Sequence, residues 1–281
     1  MKKIVYITAL IGMLGTILLA FQKKSKEEFS LRYTVLEKWN LPDELREVSG
    51  ITWVGQDRVA CVQDEDGIIF IFNLRTSRVE DRIRFGDKGD FEGIAKMGED
   101  AFVLRSDGIL YEVRNFLGET PAVEQYRTAA SGLPGVNLEG LCADPESNRL
   151  LLAIKEQGRK TGQKEVFPFD LEAKQGSDQP LFVIDLSHPI LERIEGKRNN
   201  KFSPGEIGIH PVTGEYYVLD GTRPKILITD PTGKPRELFL LRIADFENPE
   251  GLTFNPRGEL FISNEAEGGP ANILKVALDR K

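Results

Sequence analysis

A short acidic motif recurs five times along this chain and limits the folds that the chain can adopt. Its copies are Glu47-Val-Ser-Gly-Ile51, Glu92-Gly-Ile94, Glu139-Gly-Leu141, Glu206-Ile-Gly-Ile209 and Glu250-Gly-Leu252. The steps from each Glu to the next are 45, 47, 67 and 44 residues. A recurrence of this length is typical of repeat architectures. Two copies are imperfect, because Ser49 stands where the others carry Glu and Glu206 is displaced by one residue relative to Glu250.

Each copy of the motif opens the same order of local patterns. In the last copy an apolar run, Gly251 to Phe254, is followed by a turn, Asn255-Pro-Arg-Gly258, and by a second apolar run, Leu260 to Ile262. Turns rich in Gly, Asn and Asp are typical of hairpins, and short strands at regular spacing predict an all-β fold. Four strands per repeat of about 45 residues predict a propeller blade. The alternative, a β-sandwich, leaves the regular recurrence unexplained.

The two ends of the repeat region predict how the ring of blades closes. The stretch Leu31 to Lys38 alternates like a strand but precedes the first motif, so it has no blade of its own. The last copy supplies only three strands, the third being Ile273 to Ala277. We therefore expect residues 31–38 to complete the last blade, which removes two open sheet edges and gives a five-bladed propeller.

The N-terminal segment predicts a membrane location. Met-Lys-Lys is followed by 18 residues without a charge, Ile4 to Phe21, which is typical of a signal sequence or a membrane anchor. We assign residues 1–22 to this segment, 23–30 to a linker and 31–281 to the propeller. The expected location is the cell envelope, with the propeller anchored to the cytoplasmic membrane on its outer, periplasmic side, or secreted if the segment is cleaved.

Composition excludes several kinds of site. A formal net charge of −7 argues against a nucleic-acid partner. The two cysteines, Cys61 and Cys142, lie in apolar runs of different repeats, which predicts buried and unbonded thiols. The sequence has no Cys/His metal spacing, phosphate-binding Gly loop or nucleophile elbow. We expect a monomer that binds a small ligand or an envelope protein.

The repeat places chemistry on one face of the propeller. First strands line the central channel and second strands return to the rim where the first strands began, so the motif acids and the polar residues that end the second strands share that face. These polar residues form the predicted ligand-binding face: Asp64, Glu65, Arg105, Asp107, Lys155, Glu156, Asp220, Asn264 and Glu265.

Carboxylates gathered around one axis repel each other. A pair about 6 Å apart costs roughly 3 kcal/mol at an effective dielectric constant near 20. Arg105 and Lys155 offset part of this repulsion, and a bound cation offsets more. Oxygen ligands without His or Cys favour Ca²⁺. The predicted metal ligands are Glu47, Glu92, Glu139, Glu206 and Glu250. The alternative is that each Glu accepts backbone N–H groups where blades join.

These motifs resemble those of the SdiA-regulated (YjiK-like) propellers, which are distantly related to NHL-repeat propellers. The resemblance covers residues 31–278 and rests on five stretches: Glu47-Val-Ser-Gly-Ile51, Asp90-Phe-Glu-Gly-Ile-Ala95, Asn137-Leu-Glu-Gly-Leu141, Ser203-Pro-Gly-Glu-Ile-Gly-Ile-His-Pro211 and Asn248-Pro-Glu-Gly-Leu252. It implies a five-bladed propeller, an envelope location and a bound calcium ion, but no activity. The ligand set given above comes from the repeat and not from the resemblance.

Two functions remain open at this point. The first is a calcium-binding module of the cell envelope. The second is a calcium-dependent hydrolase of the lactonase or phosphoesterase kind, with Glu65, Asp107 or Asp220 as the base, which rests on fold analogy. The long 67-residue step contains polar insertions, Gln157 to Lys164 and Ala173 to Gln179, which are either surface loops or a lid.

Overall fold

The computed structural model describes residues 32–131, 135–156, 162–192 and 202–280, and its strands are numbered here in chain order. The strand that precedes the first motif is β1 (Tyr33–Asn40). The first blade contains β2 (Val48–Gly55), β3 (Arg58–Gln63), β4 (Ile68–Asn73) and β5 (Arg78–Arg84). The second contains β6 (Phe91–Met97), β7 (Asp100–Arg105), β8 (Ile109–Arg114) and β9 (Ala122–Arg127).

The remaining blades follow the same plan, with additions in the third. The third blade contains β10 (Asn137–Asp144), β11 (Arg149–Glu156), β12 (Gln163–Asp170), β13 (Gln175–Gly176) and β14 (Phe182–Asp185), followed by the short helix α1 (Pro189–Glu192). The fourth contains β15 (Glu206–Ile209), β16 (Tyr216–Asp220), β17 (Lys225–Thr229) and β18 (Pro235–Leu240). The last contains β19 (Pro249–Phe254), β20 (Leu260–Asn264) and β21 (Asn272–Leu278).

The strands form five antiparallel sheets arranged as the blades of a propeller. The innermost strands β2, β6, β10, β15 and β19 contact each other in that order, and β19 contacts β2 again, so they surround one axis. Each hydrophobic cluster joins two neighbouring blades; one of them, for example, combines Val62 and Ile69 of the first blade with Phe91 and Val103 of the second. The inner strands of each sheet are therefore buried on both faces, which explains their continuous apolar runs, whereas the outer strands β5 and β9 are largely exposed. The prediction of an all-β, five-bladed propeller is confirmed.

The glycines of three motifs, Gly50, Gly93 and Gly251, are required by close packing around the axis. A methyl group on Gly93 would lie 2.8 Å from the carbonyl oxygen of Glu139 in the next inner strand, closer than real side chains allow. A methyl group on Gly50 would similarly meet Gly93, and one on Gly251 would meet Ile51. Glycine is therefore the residue that lets neighbouring inner strands approach each other.

The first strand closes the ring, as predicted. Strand β1 pairs antiparallel with β21 from Tyr33 opposite Leu278 to Asn40 opposite Asn272, which is two residues further along the chain than the predicted 31–38. The hydroxyl group of Tyr33 donates to Asp245 Oδ2 at 2.7 Å and accepts the N–H of Arg242 at 3.1 Å. The join is thus secured by strand pairing and by a side chain.

The long step between the third and fourth motifs contains strands of the third blade as well as loops. Strands β12 and β14 pair with each other and supply the third and fourth strands of the third blade. Residues 173–179 lie at its outer edge, where Lys174 Nζ is 2.6 Å from Glu112 Oε1 of the second blade. The predicted anchor 1–22, the linker 23–30 and residues 157–161 lie outside the described part. No helix within the described ranges is long and apolar enough to span a membrane. Both cysteines are buried and unbonded, as predicted.

Candidate functional site

A β-bulge recurs at the start of four inner strands and leaves the motif residue without a partner on the second strand of its blade. In β6, Phe91 pairs with Arg105 and Gly93 with Leu104, so Glu92 has no partner on β7. Equivalent register shifts release Ser49 in β2, Glu139 in β10 and Glu250 in β19. Bulges of this kind redirect a side chain at the end of a sheet. The local backbone therefore places the motif residues of these four blades, Ser49, Glu92, Glu139 and Glu250, at one end of the axis.

The fourth blade departs from this pattern, which explains the displaced motif. Glu206 pairs directly with Leu219, without a bulge. Its Oε1 accepts the N–H groups of Leu141, in the third blade, and of Ile207, both at 2.8 Å. Its Oε2 has no hydrogen-bond partner, although Glu206 is only 1% exposed. One oxygen of Glu206 thus joins two blades, as the alternative prediction supposed, and the other remains without a partner.

Lys155 lies among the carboxylates. Its Nζ is 2.6 Å from Oε2 of Glu139, whose Oε1 accepts a hydrogen bond from Asn137 Nδ2 at 2.8 Å. Glu250 and Glu92 are the next charges that act on Lys155. Glu92, Glu139, Glu206, Glu250 and Lys155 are named here the acidic cluster.

Burial dominates the protonation of this cluster. It raises the pKa of Glu92 to about 9, and the charge of Glu139 adds to the effect. It raises the pKa of Glu250 to about 7, although Lys155 opposes the shift. Burial also raises the pKa of Glu139, and that of Glu206 well above its usual range. The cluster therefore holds protons near neutral pH unless a cation neutralises it.

A second group of acids borders the acidic cluster. Burial, followed by the charge of Glu47, raises the pKa of Asp64, whose Oδ1 is buried without a hydrogen-bond partner. Burial raises the pKa of Glu265 as well, with added repulsion from Asp64 and Glu47. Glu47 therefore groups with Asp64 and Glu265, while Ser49 occupies the bulge and donates a hydrogen bond to the carbonyl oxygen of Phe91 at 2.6 Å.

Sequence reasoning missed three polar residues of this face. Asn137 donates to Glu139, Asn248 donates to Glu265, and Asp90 is a neighbouring charge of Glu92. Each lies two residues before a motif Glu, a recurrence that is visible in the sequence. Glu47 holds the same place before Ser49, so it belongs to this second set of positions.

The predicted ligand-binding residues lie at or just after the ends of second strands, but only some join the acids. Asp64, Lys155 and Glu265 do so. Glu65 pairs with Lys88, and its charge also acts on Asp64. The others have separate surroundings: Arg105 pairs with Asp107 and Tyr111, Asn264 donates to Asn272, Glu156 is exposed, and Asp220 is buried in an ion pair.

Asp220 forms the most deeply buried ion pair of the described residues. Its Oδ2 is 2.6 Å from Lys225 Nζ, and both side chains are 1% exposed. The same oxygen accepts the N–H of Ser203 at 2.9 Å. Burial lowers the pKa of Lys225. This arrangement fixes the segment that leads into β15 and leaves Asp220 fully engaged.

The carboxylates do not converge as tightly as the ligands of an assembled metal site. Within the described ranges, no group of three His, Cys, Asp or Glu side chains is arranged closely enough to hold a metal ion. Binding of an ion therefore requires the side chains of the acidic cluster to move together.

A cavity of about 850 Å³ lies around the axis at the other end of the inner strands. Its lining includes Trp53, Lys96, Cys142, His210 and Phe254. Sequence reasoning placed the whole site at the acidic end and missed this cavity. The recurring motif marks only the beginnings of the first strands, and the ends of those strands share no comparable residue.

Comparison with known proteins supports the fold. The chain is similar to the glutaminyl cyclase of Myxococcus xanthus, with a TM-score of 0.62 and 16% identity over 88% of this chain and 96% of that one. It is also similar to a chain of a nidogen–laminin complex, with a TM-score of 0.50 and 13% identity over 83% and 86% of the two chains. No family model and no curated protein matches, so membership of the SdiA-regulated family stays a prediction. The chain has the fold of a five-bladed β-propeller similar to that of glutaminyl cyclase.

Proposed function

We propose that this protein is a calcium-binding β-propeller module of the cell envelope that binds a small polar ligand or a protein partner on its acidic face. The observation that carries the proposal is the imbalance of charge in the acidic cluster, where four carboxyl groups face the single ammonium group of Lys155. Burial is the main cause of the raised pKa values of these groups, and an additional cation offsets both the cost of burying their charges and the repulsion between them.

The residues fit calcium in their chemistry. Carboxylate oxygens are the ligands that Ca²⁺ prefers, and Glu206 Oε2 is a buried oxygen without a partner. Gly205 leaves a space beside the cluster: a methyl group there would lie 3.6 Å from Glu139 Oε2 and 3.9 Å from Glu250 Oε2. Glu92, Glu139, Glu206 and Glu250 would hold the ion, which supplies positive charge for oxygen atoms of a ligand. The apolar segment Ile4 to Phe21 supports the envelope location.

Calorimetry tests the proposal directly. Ca²⁺ titrated into chelator-treated protein should bind saturably, and the Glu250→Gln variant should bind it at least tenfold more weakly, because it loses one charge and keeps one oxygen donor. Glu156→Gln is the matched control, since Glu156 lies exposed on the same face. Absence of calcium binding by the unmodified protein, or equal affinities of all three proteins, would contradict the proposal.

An enzyme acting at the same face is the second candidate, and one observation favours it. Glu250, with a pKa raised to about 7, lies near the ammonium group of Lys155, and a carboxyl group with such a pKa donates and accepts protons near neutral pH. The candidate reactions are hydrolysis of lactones or phosphate esters and, from the similarity of fold, a glutaminyl cyclase reaction. A panel of these substrates tests it: turnover that Glu250→Gln abolishes supports an enzyme, and no turnover of any of them contradicts it.

A further inference from the structure

The acidic cluster already contains a cation that belongs to the chain. Lys155 ends the second strand of the third blade, and its Nζ is 2.6 Å from Oε2 of Glu139. Glu250 and Glu92 also attract it. Its ammonium group therefore stands where charge alone would place an external cation.

The contact between Lys155 and Glu139 leaves the other carboxyl groups of the acidic cluster without a cation in direct contact. Glu206 Oε2 remains buried without a partner, and the space beside Gly205 is lined by oxygens of Glu139 and Glu250. One ammonium group thus neutralises one of four carboxyl groups by direct contact. A cation in contact with several of these oxygens at once would be attracted more strongly than the ammonium group of Lys155.

The side chain of Lys155 can move away from Glu139 into solvent. Its side chain is 26% exposed, whereas Glu139 is 5% exposed, so the lysine reaches solvent by rotating about its own bonds. Its backbone stays in place, because Ala153, two residues earlier, pairs with both neighbouring strands and the carbonyl oxygen of Lys155 accepts a hydrogen bond from Lys164. Movement of the side chain therefore does not require movement of the blade.

We propose that Lys155 is the resident counter-ion of the acidic cluster and that an external cation binds by displacing its ammonium group from Glu139. Lys155 then sets the affinity of the site, since each binding event breaks one ion pair. It also holds the carboxylates together while the external cation is absent. The inference rests on the proposed cation site.

Calorimetry with Ca²⁺ alone tests this inference in the intact protein. Lys155→Met removes the charge and keeps most of the stem, so Ca²⁺ should bind about tenfold more tightly or better, as expected from removing one positive charge about 5 Å away. Lys88→Met is the matched control: it changes the net charge equally, but Lys88 is exposed and pairs with Glu65 outside the acidic cluster. Its affinity for Ca²⁺ should equal that of the unmodified protein.

The outcomes separate this inference from the proposed function. Equal or weaker binding by a folded Lys155→Met variant would overturn the displacement, while calcium binding by the unmodified protein would still support the proposed function. Absence of calcium binding by both would overturn the proposed function itself. If Lys155→Met fails to fold, carbon NMR of the protein with its natural sequence and ¹³C-methylated lysines decides. Calcium should shift the Lys155 signal, and calcium binding without that shift would overturn the displacement.

Discussion

Oε1 of Glu206 accepts the backbone N–H of Leu141 at 2.8 Å and so joins the inner strands of two neighbouring blades. The bond is buried, and burial raises the pKa of Glu206 well above its usual range. It distinguishes the fourth blade from those in which the motif acid lies in a bulge. The same residue is thus part of the ring's framework and, through its other oxygen, of the acidic cluster.

Replacement of Glu206 should separate these two roles. Glu206→Ala leaves the N–H of Leu141 buried without an acceptor, so we expect the free energy of unfolding to fall by about 1–3 kcal/mol. Glu206→Gln keeps a carbonyl oxygen at the same place and should lose about 1 kcal/mol or less. Urea denaturation in the presence of a chelator measures both. Equal losses in the two variants would show that the hydrogen bond to Leu141 contributes little.

Replacement of Gly93 tests the close packing around the axis. Gly93→Ala places a methyl group 2.8 Å from the carbonyl oxygen of Glu139, so two inner strands must separate. We expect a loss of about 1–3 kcal/mol, as in other overpacked cores. Gly269→Ala is the control, because a methyl group there meets no atom within 4 Å. Thermal melting compares the two, and similar melting temperatures would contradict the packing requirement.

The spacing of the repeat was enough to predict the blades, their number and the strand that closes the ring. Each of these follows from local patterns repeated at a regular interval. The sequence also indicated that Ser49 stands in place of the motif Glu, and the structure agrees, because Ser49 occupies the bulge of β2 that corresponds to the bulges of Glu92, Glu139 and Glu250. The repeat could not predict how one blade differs from the others. In the fourth blade Glu206 is displaced by one residue and pairs directly with Leu219, so this acid does not lie in a bulge.

Stability should fall as pH rises when no metal is present. The pKa of Glu250 is raised from 4.5 to about 7 and that of Glu92 from 4.5 to about 9. A carboxyl group with a higher pKa in the folded state binds its proton more tightly there, so its stabilising effect is full below the unfolded pKa and disappears as pH rises through the folded pKa. We therefore expect the melting temperature in chelator to decrease between about pH 4.5 and pH 9.

Two variants identify the source of that pH dependence. Glu92→Gln should flatten the decrease most, because Glu92 has the larger shift, whereas the exposed Glu156→Gln should leave it unchanged. Saturating calcium should also reduce it, since the ion favours the charged carboxylates. A melting temperature that is constant over this range in chelator would contradict the burial of these acids.

Removal of the first strand should prevent stable folding. Deletion of residues 31–40 removes β1 and leaves β21 as an open edge, and it also removes the Tyr33 hydroxyl that bonds Asp245. We expect loss of the cooperative melting transition. Tyr33→Phe is the milder variant, with an expected loss of about 1 kcal/mol from the two partly buried hydrogen bonds of the hydroxyl group. An unchanged melting temperature of the deletion variant would show that the ring closes without β1.

The directions of individual side chains limited what could be predicted of the site. The buried pair of Asp220 and Lys225 joins the end of one strand to the beginning of the next, and the pattern of apolar runs gives no sign that this lysine points inward. Lys155 was expected on the acidic face, but its contact with Glu139 depends on the direction of a flexible side chain. Charge and position were therefore predictable, whereas the pairing of individual charges was not.

The pairing of β1 with β21 has a consequence for how the chain folds while it is being synthesised. Tyr33 is made before the other four blades and pairs with Leu278 of β21, so the first strand has no partner until β21 has been synthesised. Closing so long a loop is a late and slow event. Meanwhile β1 carries Glu37 and Lys38 at positions that stay exposed in the finished ring. Charges on an unpaired strand oppose its pairing with other chains, so the strand that closes the ring also carries residues that oppose aggregation before the ring is closed.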